Sequence, residues 1–386
     1  MHKKKSILYV THEYDVNGAS KSLISIIKRF MDDYNIHVLV RKEGDVTNIL
    51  RNLQCKVIVK PFYLDVEPIV PTKCLSKIEW PIRVARYITF RTKVNRKVAF
   101  EMAHYVKENE ISLIHTNSSS TFIGAQIAEK TSVPHVWHFR EFLSEDFNLY
   151  PLRGWECLYK YASKSNMIIC VSNSVLKKYE KYINTDIRCI YNGIEDSGEM
   201  LSRVSHKEFN LLQAGVLSQG KGTDVAVKAI RILHEKGYGN VHLYLAGRGN
   251  LDFCKDDYVK VSDYVHILGY IKDMRKLREN KQIDAELVCS KAEAFGRGTV
   301  EAMEFGNVVI GSNTAGTREL IKDGVNGFLY KQGDSFDLAC KIEKLLQNPY
   351  LLSELGKNGR KEFTDNFTMD KCIDKIKKVY DELLNK

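Results

Sequence analysis

"AELVCSKAEAFGRGTVEAMEFG", residues 285–306, begins as an apolar run short enough for one buried strand and ends as a helical pattern closed by Gly306. Between them lies a loop with two glycines, Gly296 and Gly298, flanked by two acidic residues, Glu293 and Glu301. We read a strand over 285–290, a strand-to-helix loop, and a helix with Thr299 near its N-cap. The first N–H groups of a helix lack intrahelical acceptors and carry the positive end of its dipole, and glycine lets a ligand approach the backbone. The loop therefore suits a diphosphate. Glu301, in the first helical turn, is placed to accept from ribose hydroxyls, and Glu293 projects toward whatever is attached beyond the phosphates.

Working outward, the same strand-then-helix alternation recurs on both sides. Upstream it runs "SILYV", "KSLISIIKRF", "IHVLV", "CKVIV", then "SLIHTN", "PHVWHF", "MIICVS" and "IRCIY". After the polar connection "DSGEMLSRVSHK", residues 196–207, a second series begins: "FNLLQAG", "VHLYLAG", "HILGY", "AELVCS", "VVIGS", "GFLY". Such alternation marks parallel sheets covered by helices, and 386 residues exceed what one core normally holds. The expected fold class is α/β, with two Rossmann-like, doubly wound domains facing a central cleft. The expected limits are 1–195 and 196–366, and the final stretch "DKCIDKIKKVYDELL" reads as an amphipathic helix.

Composition narrows the class further. Nine scattered cysteines, none in C-x-x-C spacing, speak against a disulfide framework or zinc site and for a reducing cytoplasm. The only apolar run near the start spans five residues, too short for a signal-peptide core or a membrane span. A net charge of +10 suits an anionic partner. Nucleic acid is not expected, because the basic residues come without a recognised nucleic-acid module. "LAGRGN", residues 245–250, lacks the third glycine and downstream acid of a dinucleotide fingerprint, which excludes NAD on that motif.

Residues 293–330, "EAFGRGTVEAMEFGNVVIGSNTAGTRELIKDGVNGFLY", resemble the donor-site segment of the retaining glycosyltransferases of family four, which share the GT-B fold. "ILYVTHEYDVNGASKSL", "PHVWHFRE", "IYNGIE", "AGVLSQGKG", "LAGRGN" and "HILGY" follow in the family's order, so the similarity covers most of the chain. The resemblance implies transfer of a sugar from a nucleotide-sugar donor with retained anomeric configuration, no metal and no other cofactor. It also implies that the last helix, about 367–386, packs back on the N-terminal acceptor domain, while 196–366 hold the donor.

Carried over by position, Glu293 meets hydroxyls of the donor sugar and Glu301 the ribose. Backbone N–H groups around Phe295, Gly296 and Arg297 lie against sugar and diphosphate. Lys221 neutralises the leaving diphosphate, and His138 approaches the reacting sugar, with His135 left as a structural group. Gly18 belongs to a loop whose backbone can approach phosphate or acceptor, with Asn17 expected to take a left-handed turn where the family often has a second glycine. Tyr270 is a candidate contact to the base, with a core aromatic as the alternative. One departure stands out: many members carry arginine on the diphosphate where this chain has Val216, so that Lys221 and the helix end suffice or Arg297 or Arg248 substitutes.

On the acceptor side the resemblance points to a glycan or lipid-linked hydroxyl in cell-surface polysaccharide or glycolipid synthesis. Residues 80–106 interleave Arg83, Arg86, Arg91, Lys93, Arg96 and Lys97 with Trp80, Ile82, Val84, Tyr87, Ile88 and Phe90. That pattern fits either an anionic membrane surface at the inner face or a helix with a solvated basic side. Two rival functions stay open: a nucleotide-sugar epimerase or hydrolase on the same fold, and a catalytically silent nucleotide-sugar-binding partner.

Overall fold

The computed structural model describes residues 3–68, 81–82, 85–201 and 206–385. Trp80, Arg83 and Val84 of the basic stretch, the side chain of Tyr87, and residues 202–205 of the expected connection lie outside that description. The chain divides into two units, Met1–Gly193 with Met369–Lys386, and Ile194–Thr368.

The first unit carries a seven-stranded parallel sheet: β1 (Ser6–Thr11), β2 (Asn35–Val40), β3 (Lys56–Val59), β4 (Ile111–Asn117), β5 (His135–Phe139), β6 (Met167–Cys170) and β7 (Ile187–Cys189). Its order is β3-β2-β1-β4-β5-β6-β7. The second unit repeats the plan with β8 (Phe209–Ala214), β9 (Val241–Ala246), β10 (Val265–Gly269), β11 (Ala285–Val288), β12 (Val308–Ser312) and β13 (Phe328–Tyr330), ordered β10-β9-β8-β11-β12-β13. Both are doubly wound, with the direction of winding reversing beside β1 and β8; ligands in such sheets bind beyond the carboxyl ends of the strands at that reversal. The near-continuous burial of β1 and β8 follows from helices on both faces.

Helix α1 (Gly18–Phe30) follows β1. Asn17 does not turn left-handed there: its φ is −135°, and its side chain caps the helix, accepting from Ser20 N–H at 3.0 Å, while Ser20 accepts the Asn17 N–H at 2.8 Å. The loop keeps its shape through a reciprocal cap, not through glycine-like freedom. Helix α2 (Thr92–Glu108) buries Val98, Ala99, Met102 and Val106 against the sheet, so the basic stretch does pack as a helix, with Ile88, Phe90 and Phe100 left exposed beside it.

The last helix of the chain spans Met369–Leu384 and belongs to the first unit. It presents Cys372, Ile376, Val379, Tyr380 and Leu383 on one stripe to Ile7, Tyr9, Leu23, Ile27 and Phe30. At the rim, Arg188 grips Glu382 through two bonds of 2.8 Å and Lys377 meets Asp33 at 2.6 Å. Each such buried aliphatic side chain contributes roughly 1.5–3 kcal/mol, far more than the rim pairs. No helix among the described residues is long and apolar enough to cross a membrane.

Candidate active site

The loops that follow β8 and β11, neighbours at the reversal of the second sheet, are pressed together. Gly222, at φ +64°, opens helix α3 (Thr223–Glu235), and a Cβ there would lie 2.1 Å from the carbonyl oxygen of Cys289. Lys291 N–H donates to Gly220 O at 3.0 Å. That contact sets Lys221, in a single 3₁₀ turn, beside the β11 loop: its Nζ donates to Glu293 Oε1 at 2.6 Å, and Ser290 Oγ donates to the same oxygen at 2.6 Å. Both Lys221 and Glu293 remain partly open to solvent.

Helix α4 (Arg297–Glu304) starts immediately beyond. Its N-cap is Gly296, at φ +95°, and Thr299 is a first-turn residue whose N–H reaches Gly296 O at 3.0 Å. Thr299 thus lies near the N-cap, as expected, and the cap itself is glycine, whose left-handed backbone lets the loop turn sharply into the helix. Thr299 Oγ1 is buried without a hydrogen-bond partner. Around Gly298 nothing lies within 4 Å of where a Cβ would be, so the backbone at the helix start is open to approach. Arg297 Nε donates to Glu301 Oε1 at 2.7 Å across one turn. Phe295 is buried and turns its ring inward toward Phe367, with centroids 6.2 Å apart.

Gly316 supports this loop, a role the sequence did not reveal. It lies in α5 (Ala315–Leu320), donates its N–H to Glu293 O at 2.8 Å, and a Cβ there would sit 2.6–2.9 Å from three carbonyl oxygens, those of Phe295, Glu293 and Ala294. Val216, Arg248 and Tyr270 lie at the ends of β8, β9 and β10. Leu217 N–H bonds Arg248 O at 2.8 Å, and the Arg248 guanidinium lies 5.3 Å from the centre of the Tyr270 ring. Tyr270 is 59% exposed, which removes the core-aromatic alternative. Arg248 thus stands next to the position where Val216 provides no charge.

In the first unit, Gly18 is exposed at the start of α1, and nothing lies within 4 Å of the place a Cβ would take there. His138, near the carboxyl end of β5, is wholly buried. Its Nδ1 lies 3.3 Å from His115 Nε2 and 3.4 Å from an Arg140 nitrogen, and its Nε2 has no hydrogen-bond partner. Burial, reinforced by the Arg140 charge and by His115, holds the His138 pKa well below the usual 6.5, so the ring is neutral. His135 differs: Thr116 Oγ1 at 2.8 Å and Ser165 Oγ at 2.9 Å satisfy both of its nitrogens, and it is structural. Glu141, the residue after Arg140, accepts from the hydroxyls of Ser118 and Ser119 and from Ser120 N–H.

The structure thus brings Lys221, Glu293, Phe295, Gly296, Arg297 and Glu301 together at one end of the second sheet, with Tyr270 at the end of β10, two strands from β8. Gly18 and His138 occupy strand ends of the first sheet. Residues 16–197 match the family described as Glycosyltransferase Family 4, and residues 202–362 that described as Glycosyl transferases group 1. An uncharacterized glycosyltransferase of Methanocaldococcus jannaschii is 30% identical over 291 residues, 74% of this chain and 80% of that protein. The N-acetyl-alpha-D-glucosaminyl L-malate synthase of Bacillus anthracis is 26% identical over 237 residues, 57% of this chain and 61% of its own. Among solved structures, Anabaena Alr3699/HepE, crystallised with UDP and glucose, superposes with a TM-score of 0.75 at 21% identity, covering 97% of this chain and 99% of the other. Two doubly wound sheets, the strand–loop–helix that pairs Lys221 with Glu293, and these matches along nearly the whole chain lead to one conclusion: the chain belongs to the family-four glycosyltransferases and has the GT-B fold.

Proposed function

We propose that the protein transfers a sugar from a nucleotide-sugar donor to a hydroxyl of a glycan or lipid-linked acceptor, with retention at the anomeric carbon and without a metal. The reading is carried by the Lys221–Glu293 pair at the head of α4, which sets a cation and a carboxylate beside an open helix start. The helix start and Lys221 take the diphosphate, Glu301 the ribose, and Glu293 hydroxyls of the sugar. His138 offers its unpartnered Nε2 to a further sugar hydroxyl.

In the step itself the bond from the anomeric carbon to the phosphate oxygen breaks and a bond to the acceptor oxygen forms on the same face. The acceptor proton passes to the departing phosphate oxygen. No protein base is needed; what the chain supplies is a fixed ammonium where negative charge builds up. Because Anabaena HepE is solved with UDP and with UDP-glucose, a uridine diphosphate sugar is the first donor to test. Thermal shift against UDP-, GDP-, ADP- and dTDP-sugars should single out one nucleotide, since a ligand bound to the native state raises its melting point. Turnover should then require added acceptor, persist in EDTA and give a product with the donor's anomeric configuration by NMR. Product formed without acceptor would favour an epimerase or hydrolase.

The cytoplasmic face of a membrane is the proposed place of action. Exposed Ile88, Phe90 and Phe100 stand among exposed Arg86, Lys93, Arg96 and Lys97, apolar anchors beside charges that anionic headgroups attract. Flotation with phosphatidylglycerol-rich vesicles should show binding that is lost as salt rises; protein left at the bottom of the gradient at low salt would remove this part of the reading.

A further inference from the structure

His138 is the end of a chain of hydrogen bonds through the core of the first unit. Tyr9 Oη lies 3.0 Å from Tyr380 Oη, Tyr380 Oη lies 2.7 Å from His115 Nδ1, and His115 Nε2 lies 3.3 Å from His138 Nδ1. The four side chains come from β1, the C-terminal helix 369–384, β4 and β5, and all are wholly buried.

Distances alone leave the protons unassigned, but Arg140 orders them. A guanidinium can only donate, and this one donates to Asn117 Oδ1, to Asn192 Oδ1 at 2.6 Å and to His138 Nδ1 at 3.4 Å. His138 Nδ1 therefore carries a lone pair, and His115 must face it with Nε2–H. Burial first, then the Arg140 charge, pushes the pKa of both imidazoles well below 6.5, so each ring holds one proton. His115 Nδ1 is then an acceptor and takes the Tyr380 O–H, whose oxygen in turn accepts from Tyr9. The single proton of His138 is left on Nε2, the atom without a partner.

We propose that Tyr380, on the last helix of the chain, is a positioning residue that holds His115 in its Nε2–H tautomer, so that His115 donates to His138 Nδ1 and, together with Arg140, leaves His138 presenting Nε2–H as a hydrogen-bond donor to an oxygen of the donor sugar. The inference rests on the reading of His138 as a sugar contact. It adds a direction to that contact: the hydroxyl concerned must accept. Reversing the chain would set an N–H of His138 against an N–H of Arg140.

Tyr380→Phe keeps the ring and removes the O–H that fixes His115. With the full-length protein labelled with ¹⁵N-histidine and no donor added, two-bond ¹H–¹⁵N spectra of the rings report each tautomer. The parent should show His115 and His138 as pure Nε2–H forms. Tyr380→Phe should shift His115 toward a mixture with Nδ1–H, leave His138, which Arg140 still faces, as Nε2–H with its His115 donor weakened, and lower kcat about tenfold, the scale of one supporting hydrogen bond, with donor KM little changed. Tyr9→Phe leaves the Tyr380 donor in place and should keep the parental tautomers. Should Tyr380→Phe fail to accumulate, Tyr380→Met, which also lacks the O–H, gives the same readout at His115. An Nδ1–H form of His138 in the parent, or an unchanged His115 tautomer in Tyr380→Phe, overturns the proposal. His138→Ala with parental kcat and KM would instead remove the sugar contact, a result independent of the tautomer spectra.

Discussion

Replacing Lys221 by alanine is expected to cut turnover by about 100- to 1,000-fold while leaving stability within about 1 kcal/mol of the parent. The two magnitudes differ because the residue does two different jobs. Its ion pair with Glu293 is partly solvent-exposed, where such pairs add little to folding. Against a diphosphate in the transition state, the same ammonium faces charge that grows as the sugar leaves, and its position is already fixed by the loop contact between Gly220 and Lys291. The loss should therefore appear in kcat and in kcat/KM alike. Steady-state rates and a melting curve on the same preparation decide it; near-parental kcat would remove Lys221 from the site.

The second large effect is expected from Gly222→Ala, a methyl group added next to that lysine. At φ +64° any side chain is strained, and here the new Cβ would also stand 2.1 Å from the Cys289 carbonyl oxygen. The backbone must shift, and it carries Lys221 with it. A displacement of about 1 Å at a reacting centre costs on the order of 100-fold in rate. Gly237→Ala is the matched control: its φ is +93°, but nothing lies within 4 Å of its Cβ position. That variant should lose about 1–2 kcal/mol of stability from strain and keep its turnover. Equal kinetic losses in the two variants would mean that the contact between the two loops does not position the lysine.

These expectations show where sequence reading succeeds and where it stops. The alternation of apolar runs gave away two parallel sheets, because strands buried on both faces must be apolar throughout. The order of the strands was not legible, since it depends on which neighbours pair. At the site, Glu293 and Gly296 could be placed because chemistry and position coincide within one local loop, whereas Glu301, expected in the first turn, falls just beyond it because the helix begins at Arg297. Asn17 was expected to turn left-handed and caps α1 from an extended backbone instead: composition names residues that can cap or turn, but the loop geometry picks which they do. Gly316 escaped notice because its neighbours are three carbonyl oxygens more than twenty residues away. Tyr380 lies in a stretch read only as an amphipathic helix, and only folding shows that its hydroxyl meets a histidine 265 residues away.

The return of helix 369–384 to the first unit also dictates an order of events during synthesis. Unit Ile194–Thr368 is a single uninterrupted segment and can complete its sheet as soon as it leaves the ribosome. The first unit, though translated earlier, waits with Ile7, Leu23 and Phe30 uncovered until the last residues emerge and close over them. What is made first is finished last.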